Sequence, residues 1–99
     1  MNMNMQSVGF KADKSLEIFV NDKLRKLERY NDNITGYKVF LNLEKSDSLD
    51  NKVVEVSLKV PGEELFARKQ SKSFEEATSL VADALRIQIL KRKEKLQTK

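Results

Sequence analysis

Two stretches of this chain alternate apolar and polar residues, and they constrain the fold more than any other feature. Tyr37, Val39, Leu41 and Leu43 alternate with Lys38, Phe40, Asn42 and Glu44. Val54, Val56, Leu58 and Val60 alternate with Glu55, Ser57 and Lys59. Successive side chains of a strand point to opposite faces, so each stretch predicts a strand with one buried face. The polar run from Lys45 to Lys52 reads as the loop between them. Pro61-Gly62 is a turn signal, and Leu65 and Ala67 continue a further strand to about Ser71. Met1, Met3 and Met5 alternate with Asn2, Asn4 and Gln6 and predict a short first strand.

Helical spacing fills the rest. Leu16, Val20, Leu24 and Leu27 place one apolar stripe on a helix from about 14 to 30, with Phe19 and Tyr30 on its flank. Asp13 offers its N-cap, and the tract Asn31-Asp32-Asn33 offers its end. Ser73 and Glu76 have capping-box spacing, which predicts reciprocal satisfaction of free amides at a second helix start. Phe74, Ala77, Val81, Ala84, Leu85 and Gln88 are its expected inward face. The order strand, helix, three strands, helix is α+β. The first strand-helix-strand unit is expected to be parallel with a right-handed crossover, and the later strands to pair as hairpins. Because each strand is apolar on one side only, both helices must cover one face of a four-stranded mixed sheet and leave the other to water.

Composition narrows the function. Ninety-nine residues make one domain, from 1 to 99. There is no cysteine and no histidine, so the thiol nucleophile and the commonest general base and metal ligand are missing. The lack of cysteine fits a reducing, cytoplasmic setting. Three glycines leave no phosphate-cradling loop. Glu63-Glu64 and Glu75-Glu76 are adjacent carboxylates, but strand neighbours point apart and Glu76 is explained by capping. No enzyme, cofactor, metal or small-molecule substrate is expected. MNMNMQSV has no basic or apolar signal region, and no run is long enough to span a bilayer.

Charge points to a polyanion. From Arg86 onward, six cations (Arg86, Lys91, Arg92, Lys93, Lys95, Lys99) face one acid, Glu94, so this segment carries +5 while the whole chain carries +4. One cationic end on a nearly neutral body is the footprint of a nucleic-acid binder. Lys91, Arg92, Lys93 and Lys95 point in nearly every direction around a helix, so this end is expected to overrun the sheet and project into solvent. A second cluster, Lys23, Arg25, Lys26 and Arg29, sits on the first helix. Lys23 and Lys26 flank the buried stripe on the side of Phe19 and Tyr30. If the helices pack side by side, the two clusters join. The plainer alternative for the first cluster is local pairing with Asp22 and Glu28. A membrane-surface helix would need an apolar face beyond Gln88, which is missing.

The stretches LEIFVNDKLRKLERYNDNITGYKVFLNLEK, VPGEELFA and DALRIQILKRKEKL resemble the ribosome hibernation promoting factor family, also described as ribosome-associated inhibitors or sigma-54 modulation proteins. The resemblance covers nearly the whole chain. It implies a fold similar to double-stranded RNA-binding domains. It also implies a protein that binds ribosomal RNA of the small subunit near the decoding channel and sterically blocks messenger RNA and tRNA. By position, Lys23, Lys26, Lys91, Lys93 and Lys95 match family lysines, and Arg92 stands where many members have His. Many members have Arg where this chain has Ile87, with Arg86 one place earlier, so that contact does not transfer one to one. Because the chain stops at Lys99, the resemblance implies a short form without the C-terminal dimerisation domain of long members. A different class of function is a single-strand nucleic-acid module on the open sheet face, with Phe40 and Phe66 stacking bases beside Lys38 and Arg68. The acids Glu44, Glu55 and Glu64 on that sheet weigh against it.

Overall fold

A computed structural model describes residues 2–31, 33–45 and 47–97; the side chains of Asn2 and of residues 95–97 fall outside that description. Met1, Asp32 and Lys99, and the side chain of Lys95, therefore lie outside the described residues. The elements run β1 (Asn2–Val8), α1 (Lys14–Arg25), a 3₁₀ turn (Lys26–Arg29), β2 (Gly36–Leu43), β3 (Lys52–Val60), β4 (Glu63–Ser71) and α2 (Phe74–Gln97). The sheet order is β1-β2-β3-β4. β1 and β2 are parallel, with Met5 opposite Val39, while β2–β3 and β3–β4 are antiparallel.

The alternating residues do what their spacing predicts. Tyr37, Val39, Leu41, Val54, Val56, Leu58, Val60, Leu65 and Ala67 form one core with Val20, Leu24 and Leu27 of the first helical segment and Phe74, Ala77, Val81, Leu85 and Ile89 of α2. Met3 and Met5 pack against that core while Asn4 and Gln6 stay exposed. Both helices thus cover one face. Val53 departs from the pattern: it points to the other face and is still fully buried. It lies across from Gln70, whose amide donates to the Asp50 carbonyl of the β2–β3 connection.

Local chemistry sets the boundaries. Asp13 has extended backbone angles, and its Oδ1 accepts the Leu16 N–H at 2.8 Å. The expected helix to residue 30 is shorter, because its last turn tightens to 3₁₀ from Lys26 to Arg29. That tightening keeps Leu27 turned into the core beside Leu24, since side chains three apart nearly eclipse in a 3₁₀ turn. Asn31 Oδ1 then accepts the Asn33 N–H at 2.8 Å, the side-chain turn that competes with further helix. At α2 the expected box is half made. Ser73 Oγ accepts the Glu76 N–H at 3.0 Å, but the Glu76 carboxylate turns instead to the Ser71 hydroxyl. The inward face of α2 is also rotated from its expected centre. Thr78, Ala82 and Ile89 are buried, whereas Ala84 and Gln88 are only partly so. Thr78 is tolerated at 0 % exposure because its hydroxyl donates to the Phe74 carbonyl at 2.7 Å.

Gly9 follows β1 with φ +82°, and a Cβ there would sit 2.7 Å from the Leu43 carbonyl oxygen. Gly9→Ala is expected to destabilise by more than about 1 kcal/mol, because both the dihedral and the backbone contact oppose it. A thermal melt checks this; an unchanged melting temperature would contradict it.

Candidate nucleic-acid interface

The topology brings the two cationic clusters to one side of the molecule. β4 runs in the direction of β1, so α1 and α2, each returning from one of these strands, run the same way over the sheet. Their starts are tied by Phe10 and Phe74, whose rings stack with centroids 4.5 Å apart. α1 and α2 pack on each other.

The flanks can be assigned from contacts. Met3 and Met5 of β1 share a hollow with Lys14, Glu17, Ile18, Asn21 and Arg25, so that flank of α1 faces β1. The opposite flank, with Phe19, Lys23 and Lys26, therefore faces α2. On α2, Gln88 Nε2 donates to the Phe66 carbonyl at 2.8 Å, and Arg92 reaches Glu63; that flank faces β4. The opposite flank carries Ala82, Arg86 and Lys93, and it faces α1. Ala82 is buried there. Lys23 and Lys26 thus look across the helix seam toward Arg86 and Lys93. The 3₁₀ turn sharpens the first row. Arg29 falls three residues after Lys26 and nearly eclipses it, so Lys23, Lys26 and Arg29 form one line.

The cations divide by partner. Among the described residues, Lys23, Lys26, Arg29, Arg86, Lys91 and Lys93 have no ion pair. Arg25 does: its Nε donates to Asn21 Oδ1 at 3.0 Å and its guanidinium lies 3.6 Å from Glu28. The local-pairing alternative thus describes Arg25, but not Lys26 or Arg29. Glu28 also accepts the Tyr37 hydroxyl at 2.9 Å. Burial, and then that carboxylate, push the Tyr37 hydroxyl well above its ordinary range, so it stays a donor. Lys91 is exposed on the β4 side of α2.

Arg92 differs from the expectation that it projects into solvent. Its Nε lies 3.0 Å from Glu63 Oε1, its Nη2 donates to the Pro61 carbonyl at 2.8 Å, and its side chain is 19 % exposed. It continues the buried stripe of Leu85 and Ile89, and there the stripe meets the polar β3–β4 turn. A long aliphatic stem ending in a fork of donors fits that junction. The helix still overruns the sheet. Its 24 residues span about 36 Å, against about 30 Å for a nine-residue strand, and the molecule is 49 Å long.

The open sheet face is organised differently. Arg68 is held by Glu44 at 3.1 Å and Glu55 at 3.5 Å, which removes it as a free phosphate partner for Phe40 and Phe66. Sequence spacing did not reveal the Glu63–Arg92, Tyr37–Glu28 or Gln88–Phe66 contacts, which depend on pairing register and helix rotation. Among the described residues there is no cluster of metal ligands and no helix long and apolar enough to cross a membrane.

Two helices on one face of a four-stranded mixed sheet, with unpaired cations along the helix seam among the described residues, define the class of fold. Comparison with known proteins makes the assignment narrower. Residues 3–97 match the model of the sigma 54 modulation protein / S30EA ribosomal protein family. The chain is 34% identical over 95 residues to the ribosome hibernation promoting factor of Azotobacter vinelandii, covering 96% of this chain and 85% of that one. It is 33% identical to the factor of the same name from Pseudomonas putida, covering 99% and 92%. The chain belongs to this family, whose members are ribosome-binding proteins and not enzymes. Among solved structures, a ribosomal subunit interface protein from Coxiella burnetii superposes with a TM-score of 0.85 at 22% identity, over 95% of this chain and 99% of that one. The N-terminal domain of Thermus thermophilus Protein Y gives 0.76 at 22% identity, over 90% and 96%. These two show the shared fold.

Proposed function

We propose that residues 1–99 act as one ribosome-binding domain that occupies RNA of the small subunit near the decoding channel and excludes messenger RNA and tRNA. The observation that carries this reading is the seam itself. Unpaired cations from two helices line facing flanks, where one phosphate backbone can meet both. Lys23, Lys26, Arg29, Arg86 and Lys93 supply the charge of the seam, and Lys91, with Lys95 in sequence, adds to it from the β4 side of the same helix end. The rigid sheet supplies the bulk that blocks the channel. Structured RNA is recognised chiefly by shape and backbone, which suits lysines spaced along helices better than a base-reading pocket. Binding is then the whole of the effect, with no chemical step after it. A ribosomal partner also supports a cytoplasmic location.

Co-sedimentation with separated ribosomal subunits across a salt series tests this. Neutralising about six phosphates releases counterions, so affinity is expected to fall roughly 10³-fold between 50 and 200 mM salt. Phe40→Ala and Phe66→Ala, in the same assay, are expected to change affinity little. Salt-insensitive binding, or partition to the large subunit alone, contradicts the proposal. A tenfold loss in either Phe variant with the fold intact, about 1.4 kcal/mol, transfers the site to the open sheet.

A further inference from the structure

We infer that Glu63, an acidic residue, promotes binding of the polyanion, because it holds Arg92 as the strut that presents the end of α2. The inference rests on the RNA-binding reading above and deepens it.

Ile89 is the last buried residue of α2 among the described residues. Beyond it the helix carries Lys91 and Lys93, both exposed, with Lys95 following in sequence. Lys91 and Lys95 are four apart and repel each other, and the last four carbonyls of a helix have no partner within it. Left alone, this end should fray. Arg92 sits in the middle of it and points the other way, onto the β3–β4 turn. It joins that turn by two bonds, to Glu63 Oε1 at 3.0 Å and to the Pro61 carbonyl at 2.8 Å. Gly62, at φ +79°, forms the tight turn that brings the carbonyl and the carboxylate to the same fork. Lys91 and Lys93 lie on either side of Arg92, so fixing its backbone fixes theirs. Arg92 is thus a positioning residue; the phosphate contacts belong to its neighbours.

This runs against simple charge counting. Removing an acid from a polyanion binder ordinarily tightens binding. If Arg92 touched phosphate directly, freeing it from Glu63 would tighten binding further. The strut predicts the reverse.

The test compares wild type, Glu63→Ala, Arg92→Lys, the charge swap Glu63→Arg with Arg92→Glu, and Lys91→Gln with Lys93→Gln. Each is measured by co-sedimentation with the small subunit and by amide exchange of residues 90–97 in the free protein. Glu63→Ala is expected to weaken binding about three- to tenfold despite its added positive charge, and to speed exchange at the end of α2. Arg92→Lys should behave alike although it keeps the charge. The swap should bind better than Glu63→Ala and restore slow exchange, even though it places an acid at position 92. Glu63→Ala binding as well as or better than wild type overturns the inference, as does a swap that binds no better than the single variants. If wild type shows no small-subunit binding, or the Lys91 and Lys93 variant binds as well as wild type, the RNA reading fails instead. Exchange that stays slow in Glu63→Ala overturns the strut whatever the ribosome does.

Discussion

Replacing Lys23 and Lys26 together with Glu will weaken small-subunit binding at least about tenfold, as clearly as replacing Lys91 and Lys93. The reason is geometric. Lys23 and Lys26 lie on the flank of the first helical segment that faces α2, whereas Arg25 lies on the other side, paired with Glu28. Across the seam, Arg86 and Lys93 share the facing flank of α2. A backbone lodged there meets both rows; the first variant reverses two seam charges, and the second reverses Lys93 on the seam together with Lys91 on the β4 side of the same helix end. Stability should hardly change, because Lys26, Lys91 and Lys93 are exposed, Lys23 is half-buried, and none of the four has an ion pair among the described residues. Inhibition of a cell-free translation system should fall in parallel with binding, since no chemical step separates them. If the α2 double variant loses inhibition while the Lys23 and Lys26 variant stays fully active, the seam is not the site.

The largest effect on stability is expected from Leu85→Ala. Leu85 is fully buried, between Val81 and Ile89 on the stripe that seats α2 on the sheet. Truncating such a leucine costs about 2–5 kcal/mol, from lost burial and from the cavity left behind. A domain of this size has roughly 5–15 kcal/mol in total. The melting temperature should therefore drop by about 10–25 °C. Ribosome binding at low temperature should survive in the folded fraction, because Leu85 carries no charge and faces away from the seam. A drop of less than about 3 °C would show that α2 is not anchored through this stripe.

Most of the fold was legible because its signals are local. Alternation in β2 and β3 decides which face is buried, and the Asp13 cap and the Pro61-Gly62 turn act within a few residues. What was illegible depends on rotation and register. Leu85 and Val81 locate the stripe of α2, but whether Gln88 or Ile89 lies deepest is a shift of one residue in helix rotation. The structure resolves it by aiming Gln88 at the edge carbonyl of Phe66 and burying Ile89. Alternation gives no account of Val53, which is buried on the other face opposite Gln70, where the Gln70 amide reaches the Asp50 carbonyl of the β2–β3 connection. The cations show the same divide. Lys23 and Lys26 could be placed beside the buried stripe from spacing alone. That Arg25 is held by Glu28 and Arg92 by Glu63 could not, because a charge in a sequence does not show which acid lies within 4 Å of it. A helix end charged all round seemed unable to pack, yet Arg92 packs there by supplying donors that a polar turn can accept.

Simultaneous phosphate contact by both helices, as proposed, has a direct readout. That readout is the salt dependence of small-subunit binding for Lys23→Gln with Lys26→Gln. Each neutralised phosphate contact contributes about one unit to the slope of log affinity against log salt. The slope is expected to fall by about two units from wild type, and again by up to about two when Lys91→Gln and Lys93→Gln are added. An unchanged slope in the Lys23 and Lys26 variant would contradict it.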